Sequence, residues 1–302
     1  VSMKAKRKSQ FSKYGRQDKI ILSIGYFLIA LFVLAIIVPI FYIIVASFMD
    51  PVTLQNKGIT FDFSKWTITA YQRVMSNGAI WIGFKNAVIY SVVFTVVSVV
   101  VTLLAAYPMS RTDFKGKKLF NVIFVITMFF GGGLIPTYLL ISNLGLLDSM
   151  WAVILPGAFS VWNMIIAKTF MSGIPAAITE SAKIDGANDI VIFIKLILPL
   201  SKPLIATLSL FSALAYWNDW YNCMLYITKD NMFTLQYYLQ RMLGNAEAMR
   251  LVAEKSGIAL DTVPLESMKM AMTVVATGPI VLLYPFVQRY FVKGLTIGAV
   301  KG

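Results

Sequence analysis

The chain has 302 residues, 58% of them apolar and 14% charged, with a formal net charge of +13 and a mean hydropathy of +0.73. A soluble domain carries nearer a quarter charged residues, so the long apolar runs here read as a polytopic membrane protein. There is no His and one Cys, Cys223, which excludes a His-based proton relay, an intrachain disulfide and a multi-Cys metal site.

Residues 1–19 carry seven Lys or Arg against Asp18 alone. The apolar run Ile20 to Phe48 follows and is far longer than the ~7–15 residues of a signal-peptide core. It reads as span 1, with a basic arm (1–19) held in the cytoplasm. The anchor beside the arm explains its charge, so no nucleic-acid partner is expected. Residues 49–83 are polar, and Trp66, Tyr71 and Trp81 suit an outer membrane interface. Span 2 runs from about Asn86 to Met109, and a short basic loop, Arg111 to Lys118, leads on. Span 3 covers about Leu119 to Ile141. Gly131-Gly132-Gly133 and Pro136 predict a weak or bent helix there. Span 4 is Trp151 to Met171, and span 5, after the polar residues 172–203, is Leu204 to Ile227. Residues 228–269 are a second long polar connection. Leu235, Tyr238, Leu239, Met242 and Leu243 share one helical face, so a surface helix is expected. Span 6, Met270 to Phe291, contains Gly278-Pro279 and Pro285 as bending points.

The expectation is therefore an all-α membrane protein with six transmembrane helices. Its single domain, 20–291, lies between the arm 1–19 and a tail 292–302. Charge fixes its orientation. The segments assigned inside, with the span-end residues Lys168 and Arg289, hold eighteen Lys or Arg; those assigned outside, with Lys85, hold nine. The short basic stretches decide the matter, since long loops count less, and both termini are expected in the cytoplasm.

Residues 175–203 are too polar to span. Pro175 suits a first helical turn, Ala176 to Ile184 are mostly good helix formers, and Asp185-Gly186 reads as a stop and turn. Asn188 or Asp189 is placed to cap a second helix through Leu198, limited by Pro199 and Pro203. The first helix, at ~1.5 Å per residue, is half a bilayer long, so it presents a short polar ridge to water. No G-x-x-x-x-G-K-[ST] stretch occurs, so the chain has no P-loop.

Glu180-Ser181-Ala182, Gly186, Leu196 and Leu198-Pro199 have the spacing of the EAA loop of ABC-type import permeases. Ser181 stands for the middle Ala and Leu196 for Ile. Asp185-Gly186-Ala187, Pro203 and the tail from Gln288 to Gly302 are similar to the carbohydrate-uptake branch. Phe130 to Leu140 is similar to the oligosaccharide importers. The resemblance covers nearly the whole chain and implies a six-helix, MetI-like permease fold in a bacterial cell membrane. It implies a second, related permease as partner, two copies of an ABC ATPase, an extracellular solute-binding protein, a sugar substrate and surrounding lipid. The chain itself is expected to bind no cofactor, with ATP and Mg on the ATPase subunits, and to be no enzyme. Ala176, Glu180, Ser181, Ala182, Asp185, Gly186 and Ala187 are implied to dock on the ATPase. Residues 228–269 are implied to touch the binding protein, and the tail to reach the ATPase pair. The plainer alternatives are a Glu180–Lys183 pair three residues apart and a basic tail near anionic lipid.

Asp219 is the exceptional charge within the spans, and a carboxylate at mid-helix costs about 2.5–3.5 kcal/mol on insertion scales. Trp217, Asn218, Asp219, Trp220 and Asn222 read either as the lining of a sugar path or as an aromatic belt with a polar rim. Asn163 is a second polar candidate, for the path or for interhelical hydrogen bonding. The competing functions are an ABC import permease for a non-sugar solute and an ion-driven carrier. The carrier would need embedded ionisable pairs.

Overall fold

The computed structural model describes residues 15–256 and 266–282. Most of the basic arm, residues 257–265, the second half of span 6 and the tail lie outside them. The described residues are helical, with one isolated bridge between Met49 and Trp66. They fall into two compact units.

Of the described residues, the first unit contains 15–71 and 266–274. Its main element is α1 (Arg16–Ser47), apolar and exposed on all sides, as a helix facing lipid or other membrane helices must be. At its end Val45, Ala46, Met49 and Leu54 form a small core with Trp66 and Met270. The short α2 (Pro51–Lys57) is set by Pro51 at its first position and by Asp50, which accepts from the Thr53 backbone N–H at 2.9 Å.

After the short α3 (Thr69–Ser76), the second unit is built around α4 (Gly78–Ser110). Asn77 caps it, accepting from the Ala79 N–H at 3.0 Å, so the helix begins eight residues before the expected Asn86. It packs against α8 (Val161–Ser172) and α12 (Lys202–Trp217). Two glycines decide close approaches. A Cβ on Gly83 would meet the Leu235 backbone at 3.2 Å, and one on Gly157 would meet the Tyr216 hydroxyl at 2.5 Å. Tyr216 stacks on Phe94 and donates to the Val153 carbonyl at 3.0 Å.

Among the described residues, two helices are unbroken and long and apolar enough to cross a membrane, Gln17–Ser47 and Gly78–Ser110. Two of the expected spans are bent pairs instead. α5 (Lys117–Phe129) and α6 (Leu134–Asn143) meet at 109° across the triple glycine, where Gly133 has φ +85°. Span 4 is α7 (Met150–Ile154), continued to Gly157, then α8, at 53°. Its break was not foreseen: Pro156 interrupts, and Ser160 restarts the helix by accepting from the Asn163 N–H at 3.3 Å. Span 5 also departs from expectation. It starts at Lys202, stops at Trp217, and resumes as the short α13 (Tyr221–Tyr226). The surface helix of the polar connection is α14 (Leu235–Ser256), with Leu235 buried and Tyr238, Leu239, Met242 and Leu243 half-buried.

Candidate functional site

The polar stretch forms an elbow at one end of α4. Pro175 precedes α9 (Ala176–Ile184). The helix closes with two backbone bonds, Ala187 N–H to Ala182 carbonyl at 2.9 Å and Gly186 N–H to Lys183 carbonyl at 3.0 Å. This pairing satisfies the last carbonyls and needs a left-handed residue after the cap; Gly186 supplies it at φ +78°. Asn188 then caps α10 (Asp189–Ile192), accepting from the Val191 N–H at 2.9 Å. A π turn, Phe193–Ile197, and α11 (Leu198–Leu200) continue it. The chain then turns by 78° into α12. The second helix thus ends two residues beyond the expected Leu198.

The seven elbow residues divide by environment. Ala176, Glu180, Ser181, Asp185 and Gly186 are exposed. Ala182 and Ala187 pack, partly buried, against the core that contains Ile192, Ile197, Met109 and Met171. Two apolar tips that the sequence reading did not single out stand beside the polar ones: Ile184 is 87% exposed and Ile190 68%.

The Glu180–Lys183 pair is not formed. Lys183 donates to Asp113 at 3.1 Å, in the loop after α4, and among the described residues the Glu180 side chain has no ion-pair partner. Arg111, in the same loop, pairs with Asp113 and with Asp189. Hydrogen bonds from Arg111, then Lys183, hold the Asp113 carboxyl well below the usual carboxylate range. Asp113 and Asp189 in turn raise the Arg111 guanidinium.

The other end of α4 carries different partners. Asn86 Nδ2 donates to the Asn231 and Phe233 carbonyls at 2.9 and 3.0 Å, and Asn77 to the Tyr238 hydroxyl at 2.9 Å. Asn86 and Arg111 are separated along α4 by about 37 Å at ~1.5 Å per residue, more than the ~30 Å hydrocarbon core of a bilayer. The elbow and the 228–256 segment therefore stand at opposite ends of a helix that can cross a membrane.

The path candidates lie mainly at the break between α12 and α13. Trp217 is buried and its Nε1 donates to the Ala276 carbonyl at 3.0 Å. Asn218 is exposed and returns a bond to the Leu214 carbonyl at 2.8 Å. Asp219 starts α13, accepting from the Asn222 backbone N–H at 3.2 Å and its Nδ2 at 3.0 Å. Trp220 meets Tyr221 edge-on. Five candidates are thus brought together, and part of their polarity is spent on capping. Asn163 stands apart on α8; a cavity of about 550 Å³ at the start of that helix is lined by Phe124, Met128, Phe159, Ser160 and Trp162, and Asn163 is not part of its lining. A second cleft, of about 350 Å³, lies at the far end of α4 between Asp230, Phe233, Tyr238 and Arg241.

The family model for the inner membrane component of binding-protein-dependent transport systems matches residues 79–297. The chain is 39% identical to the polygalacturonan/rhamnogalacturonan transport system permease protein YtcP of Bacillus subtilis, over 92% of this chain and 96% of that one. It is 31% identical to the arabinooligosaccharides transport system permease protein AraQ of Halalkalibacterium halodurans, over 93% and 96%. A solved bacterial ABC transporter involved in import of the acidic polysaccharide alginate has a chain that superposes with a TM-score of 0.81. It is 28% identical and covers 92% of this chain and 99% of its own.

Proposed function

The chain belongs to the family of binding-protein-dependent transport system inner membrane components, and we propose that it carries oligosaccharides through the bacterial cell membrane while a separate ATPase drives it. It has the all-α fold of an ABC importer permease. In this reading it pairs with a second, related permease. The elbow faces the cytoplasm, as do both termini, and docks on one of two ATPase copies that hold ATP and Mg. An extracellular binding protein delivers the sugar near residues 228–256. The observation that carries this is the elbow itself: a capped, exposed helix–turn–helix at one end of α4, with a different polar surface at the other.

The elbow works as a lever. Closure of the ATPase pair moves α9 and α10, and the bent helices reorient so that the path opens outward. Nucleotide drives this by favouring one bundle state; moving the ratio from 1:99 to 99:1 takes about 5.5 kcal/mol of differential affinity. Along the path, the ring face of Trp220 covers the apolar C–H surface of a pyranose, and Asn218, Asp219 and Asn222 meet its hydroxyls. Trp217 backs this group from its buried position, and Asn163 serves a separate part of the path on α8. Relatives named for polygalacturonan/rhamnogalacturonan and for arabinooligosaccharides make a galacturonate trimer the first cargo to try.

The test is to purify the chain from its host membranes with whatever copurifies and reconstitute the complex in liposomes. ATP-dependent uptake of a labelled galacturonate trimer or of maltotriose is then measured. An ATPase in the complex and uptake of either sugar support the reading. A complex without an ATPase, or uptake driven by an ion gradient without nucleotide, refutes it.

A further inference from the structure

Helix α9 is poorly anchored for a lever. It has no buried residue of its own. Its contacts with the core include Ala182, whose single methyl group gives little leverage against rotation, with Ile174 just before the helix and Ala187 just after it. What crosses from the elbow to the rest of the unit as directed contacts is a chain of alternating charges: Asp189, Arg111, Asp113, Lys183. Its ends lie on the two different helices of the elbow, Lys183 on α9 and Asp189 on α10. Its middle lies in one loop, directly after α4.

Arg111 is the best-fixed member, with its side chain 19% exposed. Its guanidinium lies over the Tyr107 ring, 5.8 Å from the centroid, and that ring packs on Phe193 of the π turn. Its carbonyl is held by Lys117 Nζ at 2.7 Å, at the start of α5. The Ser172 hydroxyl, at the end of α8, donates to the adjacent Ser110 carbonyl at 3.3 Å. Arg111 thus sits where α4, α5, α8 and α10 converge. A single exposed ion pair would fix little, but a linked set with a planar, multidentate Arg at its centre fixes direction as well as distance.

We propose that Arg111 and Asp113 are positioning residues of coupling, which with Lys183 and Asp189 lock the α4–α5 loop to both helices of the elbow so that they move as one body. The proposal rests on the reading of the elbow as the ATPase-driven lever. Displacement of α9 then pulls on the ends of α4 and α5 directly, beside the route through α10 and α12.

Spin labels on Thr112→Cys and Ile184→Cys, both exposed in the native chain, test the lock in the reconstituted complex; Cys223 is buried and takes no label. The dipolar coupling is expected to be the same without nucleotide and with ATP–vanadate, and to broaden in both states in Asp113→Ala. In unlabelled complexes, Asp113→Ala and Lys183→Ala are expected to lower trimer uptake per ATP hydrolysed at least 5-fold. Lys183→Arg keeps it within 2-fold, and the Asp113→Ala, Lys183→Ala double variant is no worse than the poorer single one. A loop–elbow distance that changes with nucleotide in the native sequence overturns the proposal. So does unchanged coupling in Asp113→Ala, whether or not the trimer is transported. If Gly186 variants uncouple and the charge variants do not, this inference alone fails. If no ATPase copurifies, the lever reading fails with it.

Discussion

Gly186 is where the elbow depends on a single backbone angle. At φ +78° it lets the Ala187 and Gly186 N–H groups reach the Ala182 and Lys183 carbonyls. An L-residue in that conformation costs about 1–2 kcal/mol, with Asn the least penalised. A Cβ at Gly186 would meet no atom within 4 Å, so within this chain the penalty is conformational and not a clash. One to two kcal/mol is about a 5–30-fold shift in the population of the closed turn. Gly186→Ala is therefore expected to lower sugar uptake per ATP by about that factor in proteoliposomes, and Gly186→Val by more, because β-branched residues resist positive φ. Gly186→Asn is expected to lose the least. ATPase copurification stays intact in all three, since the exposed Glu180 and Ser181 are untouched. If Asn, Ala and Val lose uptake equally, the turn is not limiting and the loss belongs to crowding in the ATPase groove. If none loses any, the backbone argument is wrong.

Glu180→Lys keeps the fold, because Glu180 is exposed, and is expected to uncouple hydrolysis from uptake; normal sugar-stimulated hydrolysis and uptake would count against the docking contact. Gly157→Ala forces a methyl group to within 2.5 Å of the Tyr216 hydroxyl and is expected to lower the melting temperature of the detergent-solubilised protein. Tyr216→Phe alone costs about 1 kcal/mol for the bond to the Val153 carbonyl. Combined with Gly157→Ala it should recover stability, and a purely additive loss would contradict the geometry. Asp113 is an acid held low by Arg111 and Lys183. Its contribution is complete above the unfolded value of about 3.9 and is lost as pH falls through the lower folded one. The Thr112–Ile184 dipolar coupling should therefore stay constant from about pH 8 to about pH 5, and a transition inside that window would refute the ion-pair account.

The elbow was legible because its determinants are local. Pro175, Asp185-Gly186 and Asn188 each act within three or four residues, and each does in the structure what its chemistry dictates. Lys183 was not legible. Helical spacing offers Glu180 as its partner, but the fold brings Asp113 there from 70 positions earlier. The bent spans divide in the same way. Gly133 announces the α5–α6 bend by its own backbone freedom. The break at Leu155–Ser160 lies inside an apolar run, and hydropathy measures solvent preference, not backbone direction; at Asn218–Trp220 the run does turn polar, which read as a lining and not as a stop. Ser160, a helix-starting residue ahead of an apolar run, was the available signal for the first break. Asp219 was the signal for the second: the residue that stood out as a charge in the membrane is also the one that starts α13.

That double use narrows what the path can be built from. Asp219 gives one oxygen to the Asn222 backbone and the other to the Asn222 amide, while Asn218 is turned back on its own helix. A sugar hydroxyl meeting this group competes with bonds that hold the break in shape. Sugar contact at this group would therefore be linked to the α12–α13 angle, and by reciprocity the angle would bias the affinity. At the opposite end of α12 the chain turns by 78° into the helices held by Arg111 and Asp189. One helix thus joins the candidate sugar contacts to the elbow. A bundle with broken helices transmits motion as changes in the angles between rigid pieces, and the pieces here end at residues that cap, pair or turn: Asn188, Ser201, Asp219.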